Sequence, residues 1–354
     1  MVKIAVYTIA LNEEKHVAQW AEATKDADYR LVCDTGSTDK TVELLKKHKI
    51  DTYKISVKPW RFDSARNTAL NLVPDDVDVC LILDMDEVPE PGFFDKVREQ
   101  WISTANRGWV GLNTGSTWAA DRLHSRQGFV WKYACHEVAV PSMGTEVESC
   151  FIEATIEHKP DNTKSRGQYL DMLKATVDEM PDDMRMRVYL IREYYFAGKW
   201  QELIDEGRRL FAHDRVGNCW SSELAAAYRG AGDAYDKLGN QSLAKEMYEK
   251  GMATQPDEME AVFPLAYWHY VNKNWQECFD LANKVNELKP GGHYLVDESI
   301  YKWRAFDLLA IASWNLGKKG SAKKWGRLAV EGNPTDKRLI DNYEFMLKGQ
   351  TNGM

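Results

Sequence analysis

Three carboxylates stand together where an apolar run ends, in the stretch Leu81-Ile82-Leu83-Asp84-Met85-Asp86-Glu87. Val79 to Leu83 has the length and composition of a buried strand, and Pro89-Glu90-Pro91-Gly92 then breaks the run. Side chains at i and i+2 of an extended chain point the same way, so Asp84 and Asp86 are expected to converge on one hard divalent cation. Magnesium or manganese would suit such oxygen ligands. The same acids would also suit a solvated strand end or the cap of a helix starting near Phe93, and a D-x-D pair in isolation does not separate these roles. Other candidates lie apart in sequence: Asp34 ahead of Gly36, Arg66 in Ala65-Arg66-Asn67, the pair His136-Glu137, and His158 in Glu157-His158-Lys159-Pro160.

The elements that must position these residues can be read from periodicity. Strands are predicted over Lys3–Ile9, Tyr29–Cys33, Thr52–Val57 and Val77–Leu83, and helices over Asn12–Ala23, Thr41–His48 and Ser64–Leu72. This alternation predicts an α/β fold whose mostly parallel sheet is covered by helices, with a ligand site at the carboxyl ends of the strands. Most of the polar clusters named above fall at such ends. From Trp109 to about His158 the pattern is strand and loop, with Trp118, Phe129-Val130-Trp131 and Phe151-Ile152-Glu153-Ala154 as strands.

From about Asp171 the chain reads as helix throughout. The spacing Tyr228, Gly232, Tyr235, Gly239, Ala244, Tyr248, Gly251, Pro256 resembles the tetratricopeptide signature. Weaker copies align on Gly198, on Lys273 with Pro290, and on Gly317 with Ala322, Ala329 and Pro334, at irregular intervals. The expectation is a second, all-α domain of stacked helical hairpins. Residues 1–175 and 176–354 are the expected domains, with the boundary near Pro181-Asp182-Asp183.

Composition narrows the class. The chain has 354 residues, 44% hydrophobic and 28% charged, with a formal charge of −8, which argues against a broad nucleic-acid-binding surface. Its six cysteines (Cys33, Cys80, Cys135, Cys150, Cys219, Cys278) form no C-x-x-C pair, so neither a disulfide framework nor a zinc site is expected. Met1-Val2-Lys3-Ile4-Ala5-Val6-Tyr7 has the period of a strand rather than of a leader, and no apolar run has the length of a membrane span. A reducing cytoplasm is the expected location.

Thr8-Ile9-Ala10-Leu11-Asn12-Glu13, Cys33 to Asp39, Ala65-Arg66-Asn67 and Leu83 to Glu87 resemble, in order and spacing, the nucleotide-sugar-binding half of family two glycosyltransferases with the GT-A fold. His136-Glu137 and Glu157 to Pro160, followed by helical repeats, look like a bacterial and phage branch that carries tetratricopeptide-like repeats at its C-terminus. The resemblance implies a UDP-sugar donor. Thr8 and Asn12 would line the base and ribose pocket with Glu13 nearby, and Asp34 would meet the uracil N3–H. Arg66 would approach the diphosphate, and Asp84 the ribose or the metal. Asp86 and His158 would hold Mn2+ or Mg2+, and Lys164 and Arg166 would cover the phosphates. Glu137 would be the base of an inverting transfer, with His136 orienting acceptor or phosphate. Trp118, Arg122, Arg126 and Trp131 would line the sugar or acceptor subsite, with at least one of the two tryptophans expected in the buried core instead.

Several of these residues have ordinary structural readings as well. Asn12 and Glu13 suit a helix cap, Asp34 a turn, and Glu137 a half-exposed strand. Two other functions compete: a non-catalytic adaptor in which the repeats bind a partner beside a degenerate GT-A domain, and a nucleotidyltransferase. The latter lacks a glycine-rich phosphate loop after the first strand. The acceptor is expected to be macromolecular, a protein or glycan rather than DNA; self-association is left open.

Overall fold

The computed structural model describes residues 1–114, 117–159, 167–289 and 295–349. Two compact units divide at Thr176/Val177. The strands and helices of the first run in the order β1 (Ile4–Ala10), α1 (Glu14–Ala23), β2 (Tyr29–Asp34), α2 (Thr41–Lys47), β3 (Asp51–Lys54), α3 (Phe62–Asn71) and β4 (Val79–Ile82). There follow β5 (Glu87–Pro89), α4 (Phe93–Gln100), β6 (Arg107–Asn113), β7 (Thr117–Ser125), β8 (Phe129–Lys132), β9 (Val138–Pro141) and β10 (Ser149–His158). Helix α5 (Tyr169–Glu179) spans the division.

Among the described residues these strands form an eight-stranded sheet, ordered β3-β2-β1-β4-β7-β6-β10-β5, and a separate β8-β9 ribbon. β3, β2, β1 and β4 are mutually parallel, and β7 enters antiparallel beside β4. Both faces of the central strands are covered. Ile4, Val6, Val32, Leu81 and Leu83 pack under α1, α2 and α4, whereas Ala5, Tyr7, Leu31, Cys33, Cys80 and Ile82 pack against α3 and Trp131. That is why these strands read as unbroken apolar runs rather than as an alternation.

The expected α/β class is found, with corrections at the strand ends. The chain does not stay extended through Asp84 and Asp86: the Glu87 N–H donates to the Asp84 carbonyl at 3.0 Å, which folds Asp84–Glu87 into a tight turn. The expected breaker also hides a short strand. β5 ends on Pro89 at the margin of the sheet, the place where a residue without an N–H is tolerated.

The second unit is helical from α6 (Met184–Phe196) through α7 (Trp200–Phe211), α8 (Ser221–Lys237), α9 (Gln241–Thr254), α10 (Met259–Val271) and α11 (Trp275–Glu287) to α12 (Ala305–Asn315), α13 (Lys319–Gly332) and α14 (Lys337–Lys348). A π-helical turn, Ile300–Arg304, leads into α12. The four anchors aligned from sequence occupy equivalent positions. Gly198, Gly239, Lys273 and Gly317 are all left-handed, with φ of 66°, 79°, 58° and 74°, and each closes the first helix of a hairpin. The residue after each donates its N–H five residues back, to Tyr194, Tyr235, His269 and Ser313. Lys273 occupies the position that glycine fills elsewhere at lower strain. Gly232 answers to close packing instead, since a Cβ there would lie 2.4 Å from the Tyr248 ring. Among the described residues, four antiparallel hairpins result (α6/α7, α8/α9, α10/α11, α12/α13).

Candidate functional site

Two loops at the carboxyl ends of β1 and β2 tie each other down. Asn12 sits at φ 55°, its N–H donates to Ser37 Oγ at 2.9 Å, and its Oδ1 accepts the Thr38 N–H at 2.8 Å. Asp34 accepts the N–H groups of Gly36 and Ser37. The N–H groups at the start of α1, which have no acceptor within the helix, are met in the same way: Glu13 donates to Thr41 Oγ1 and Glu14 to Asp39 Oδ2. Burial alone would raise the Asp39 carboxyl, but its bonds from Thr41 and Glu14 hold it below the ordinary value. Asn12 and Asp34 therefore build the loops with their own polar atoms. Glu13 is buried beneath them.

A buried ion network stands beside these loops. Arg66, on α3, donates from Nη2 to Asp84 Oδ1 at 2.8 Å and from Nε to Glu137 Oε1 at 2.7 Å. Thr8, at the end of β1, lies 3.4 Å from the same Asp84 oxygen. Burial opposes the charge on Asp84, yet the Arg66 and Arg122 guanidinium groups hold its carboxyl at about 2. Burial also works against the Arg66 charge, and Asp84 and Glu137 reverse that effect and raise its pKa. Glu87, fully buried, accepts the Asp84 N–H and an Arg122 hydrogen bond; burial lifts its carboxyl to about 7.

Asp86 turns elsewhere. β5 pairs with β10 in antiparallel register, His158 opposite Glu87, and the Lys159 N–H donates to the Asp86 carbonyl at 2.9 Å. This register brings His158 Nε2 to 3.5 Å from Asp86 Oδ2. Of the three metal ligands expected from sequence, Asp86 and His158 thus meet while Asp84 is engaged by Arg66. Among the described residues no group of three His, Cys, Asp or Glu side chains is arranged to hold a metal. A carboxylate beside an imidazole still suits a divalent cation whose remaining ligands come from phosphate and water.

Other expectations need correction. Arg126 does not reach the site: β7 runs antiparallel to β4, so Arg126 lies beside the start of β4, bonded to the Val73 carbonyl and paired with Asp75. Trp131 is buried core beneath Arg66, whereas Trp118 is half-exposed. His136, at φ 54°, sets its ring edge-on to Tyr169. Lys164 and Arg166 lie outside the described residues. Sequence reasoning assigned no role to Asn67, Tyr7, His124 or Glu87. The available signal was a tyrosine inside the mainly apolar run of β1; β7, with Asp121 and Arg122 beside His124, offered no such contrast.

The second unit carries a groove of about 600 Å³ lined by Tyr195, Phe196, Trp200, Tyr248, Tyr267 and Arg304, among others. Its Asp233 accepts hydrogen bonds from the Tyr195 and Tyr248 hydroxyls. None of the described helices is long and apolar enough to cross a membrane.

Residues 5–151 match the family model described as Glycosyl transferase family 2. No curated protein matches the chain. Solved structures resemble the helical half only loosely. One is YrrB, a TPR protein with an unusual peptide-binding site (TM-score 0.41, 15% identity, 50% of this chain and 82% of that one). Another is MamA (TM-score 0.37, 16% identity, 48% and 83%), and a third is the first TPR of Spaghetti (RPAP3) bound to an HSP90 peptide (TM-score 0.32, 21% identity, 36% and 94%). The parallel strands, the site at their carboxyl ends and the family match agree: residues 5–151 form a domain that matches glycosyl transferase family 2, within a unit of GT-A-like fold, and TPR-like helical hairpins follow it.

Proposed function

We propose that the chain transfers a sugar from a UDP-linked donor to an acceptor hydroxyl, with a divalent cation, Mn2+ or Mg2+, held by Asp86 and His158. The observation that carries this reading is the 3.5 Å approach of His158 to Asp86 next to the Asp84–Arg66–Glu137 network. Bound there, the cation would neutralise charge on the departing diphosphate. Thr8, Asn12 and Asp34, at the ends of β1 and β2, would hold the nucleoside, with Glu13 bracing their loop. Arg66 would face the diphosphate, and Lys164 and Arg166 would act on the same group. Asp84 would orient Arg66 and reach the ribose.

Glu137 would take the acceptor proton while the new bond forms at the anomeric carbon and the nucleotide leaves, which inverts configuration. Its Oε1 is engaged by Arg66, so the proton would pass to Oε2. His136 would orient the acceptor. The aromatic groove of the helical unit would dock a protein or glycan acceptor, a role supported by its exposed Phe196 and Tyr267. A cytoplasmic setting belongs to this reading.

Thermal unfolding with UDP, Mn2+ and both tests the core of the proposal. Both together should raise Tm by more than the sum of the separate shifts, and Asp86→Ala should abolish the excess. Additive shifts in the unaltered protein would reject a shared site.

A further inference from the structure

We propose that Tyr7 and His124, acting through the indole N–H of Trp131, are positioning residues that fix the aromatic plane under Arg66 and so set the aim of its guanidinium. The inference rests on the reading of Arg66 as the group that faces the donor diphosphate.

The three side chains come from different strands but share one face of the sheet. Tyr7 on β1 is opposite Ile82, and His124 on β7 is opposite Cys80, so both lie on the face that carries Cys80, Ile82 and Trp131. All are buried, at 0%, 2% and 7% exposure for Tyr7, His124 and Trp131. The donors and acceptors admit one arrangement. His124 Nδ1 lies 2.7 Å from the Ser125 carbonyl, which can only accept, so Nδ1 carries the proton, and in the neutral ring that burial favours Nε2 is the acceptor. The Tyr7 hydroxyl, 2.8 Å from Nε2, must then donate to it. Its oxygen accepts the Trp131 Nε1–H at 2.8 Å.

The chain of bonds therefore runs one way, from indole to phenol to imidazole to backbone carbonyl. It fixes the rotation of the Trp131 ring, and the Asn67 side chain fixes the Trp131 backbone through two further bonds. The Arg66 guanidinium lies over that ring, its carbon 4.9 Å from the centroid. Nε and Nη2 are taken by Glu137 and Asp84, and among the described residues the buried Nη1 has no hydrogen-bond partner. Two carboxylates constrain the guanidinium within its plane, and the ring below determines the tilt of that plane. The tilt decides where Nη1 can deliver a hydrogen bond.

A double-mutant cycle tests this with UDP plus Mn2+ as the probe, titrated calorimetrically. Tyr7→Phe should weaken binding about tenfold when Arg66 is present and less than about twofold in an Arg66→Lys background, because lysine has no plane to align. Equal losses in both backgrounds would overturn the inference and leave Tyr7 a purely structural residue. Trp131→Phe keeps a ring and removes the N–H, so it should reproduce the Tyr7→Phe loss and not add to it; additivity again overturns the chain. If the unaltered protein binds no UDP with Mn2+, the functional reading fails. The inference is then read from urea midpoints: Tyr7→Phe and Arg66→Lys should shift them non-additively, and additive shifts overturn it.

Discussion

Asn67 clamps Trp131 by both ends of its amide: Nδ2 donates to the Trp131 carbonyl at 2.9 Å, and Oδ1 accepts the Trp131 N–H at 2.8 Å. An edge strand, β8, is thereby fastened to α3 by a side chain that imitates a strand partner. Asn67 and Arg66 are neighbours on α3, so the helix that presents the arginine also holds the surface on which it lies.

Asn67→Asp should destabilise the protein more than Asn67→Ala. The carboxylate still accepts from the Trp131 N–H but faces its carbonyl without a proton to donate, which leaves a charge and an acceptor in conflict. A loss of about 1–3 kcal/mol is expected for an unsatisfied buried group. Urea unfolding would measure it, and equal stability of Asp and Asn at this position would rule out the clamp.

His124 should make stability depend on pH. Burial lowers its pKa from 6.5 to about 4. The unfolded ring takes up a proton as pH falls below 6.5 while the folded ring stays neutral, so this contribution is complete above 6.5 and disappears as pH drops through about 4. The full shift corresponds to roughly 3 kcal/mol. His124→Gln should have a flatter stability profile between pH 6.5 and 4, and parallel profiles would contradict the prediction.

Glu137→Gln should separate binding from turnover. The amide oxygen can still accept from Arg66 Nε, so the donor KM should change little, but the amide cannot take up a proton and kcat should fall by roughly a hundredfold or more. Steady-state kinetics with saturating Mn2+ provides the comparison. A raised KM with an intact kcat would make Glu137 an anchor for Arg66 instead of a base.

Removing the metal with EDTA should abolish donor hydrolysis, with recovery on added Mn2+. His158→Ala should raise the Mn2+ concentration needed for half-recovery roughly tenfold or more, since an imidazole ligand is lost. Recovery curves that coincide would place the cation away from His158.

Gly232→Ala should destabilise the second hairpin even though alanine favours helix. The added carbon would meet the Tyr248 ring at 2.4 Å, and that ring is held by its hydroxyl bond to Asp233 at 2.7 Å. Overpacking of this kind costs about 1–3 kcal/mol, against a helix-propensity gain of about 1 kcal/mol. Circular dichroism melts would decide the sign.

Much of this architecture was already determined by the sequence. The apolar runs of β1, β2 and β4 determined a sheet buried on both faces, because strands covered on both sides have no polar alternation to lose. The anchors Gly198, Gly239, Lys273 and Gly317 marked the turns of four hairpins, because a left-handed helix end selects glycine or tolerates a strained substitute there. The tertiary structure decided which polar groups meet. Asp84 and Asp86 are two residues apart yet have different partners, because a tight turn replaces the extended chain that the spacing implied. His158 reaches Asp86 through the β5–β10 register, and a three-residue strand ending in proline has too little periodic signal to reveal that register beforehand. Tyr7, His124 and Trp131 lie on separate strands, and only the order β1-β4-β7 and the packing of β8 on that face bring their hydrogen bonds into line.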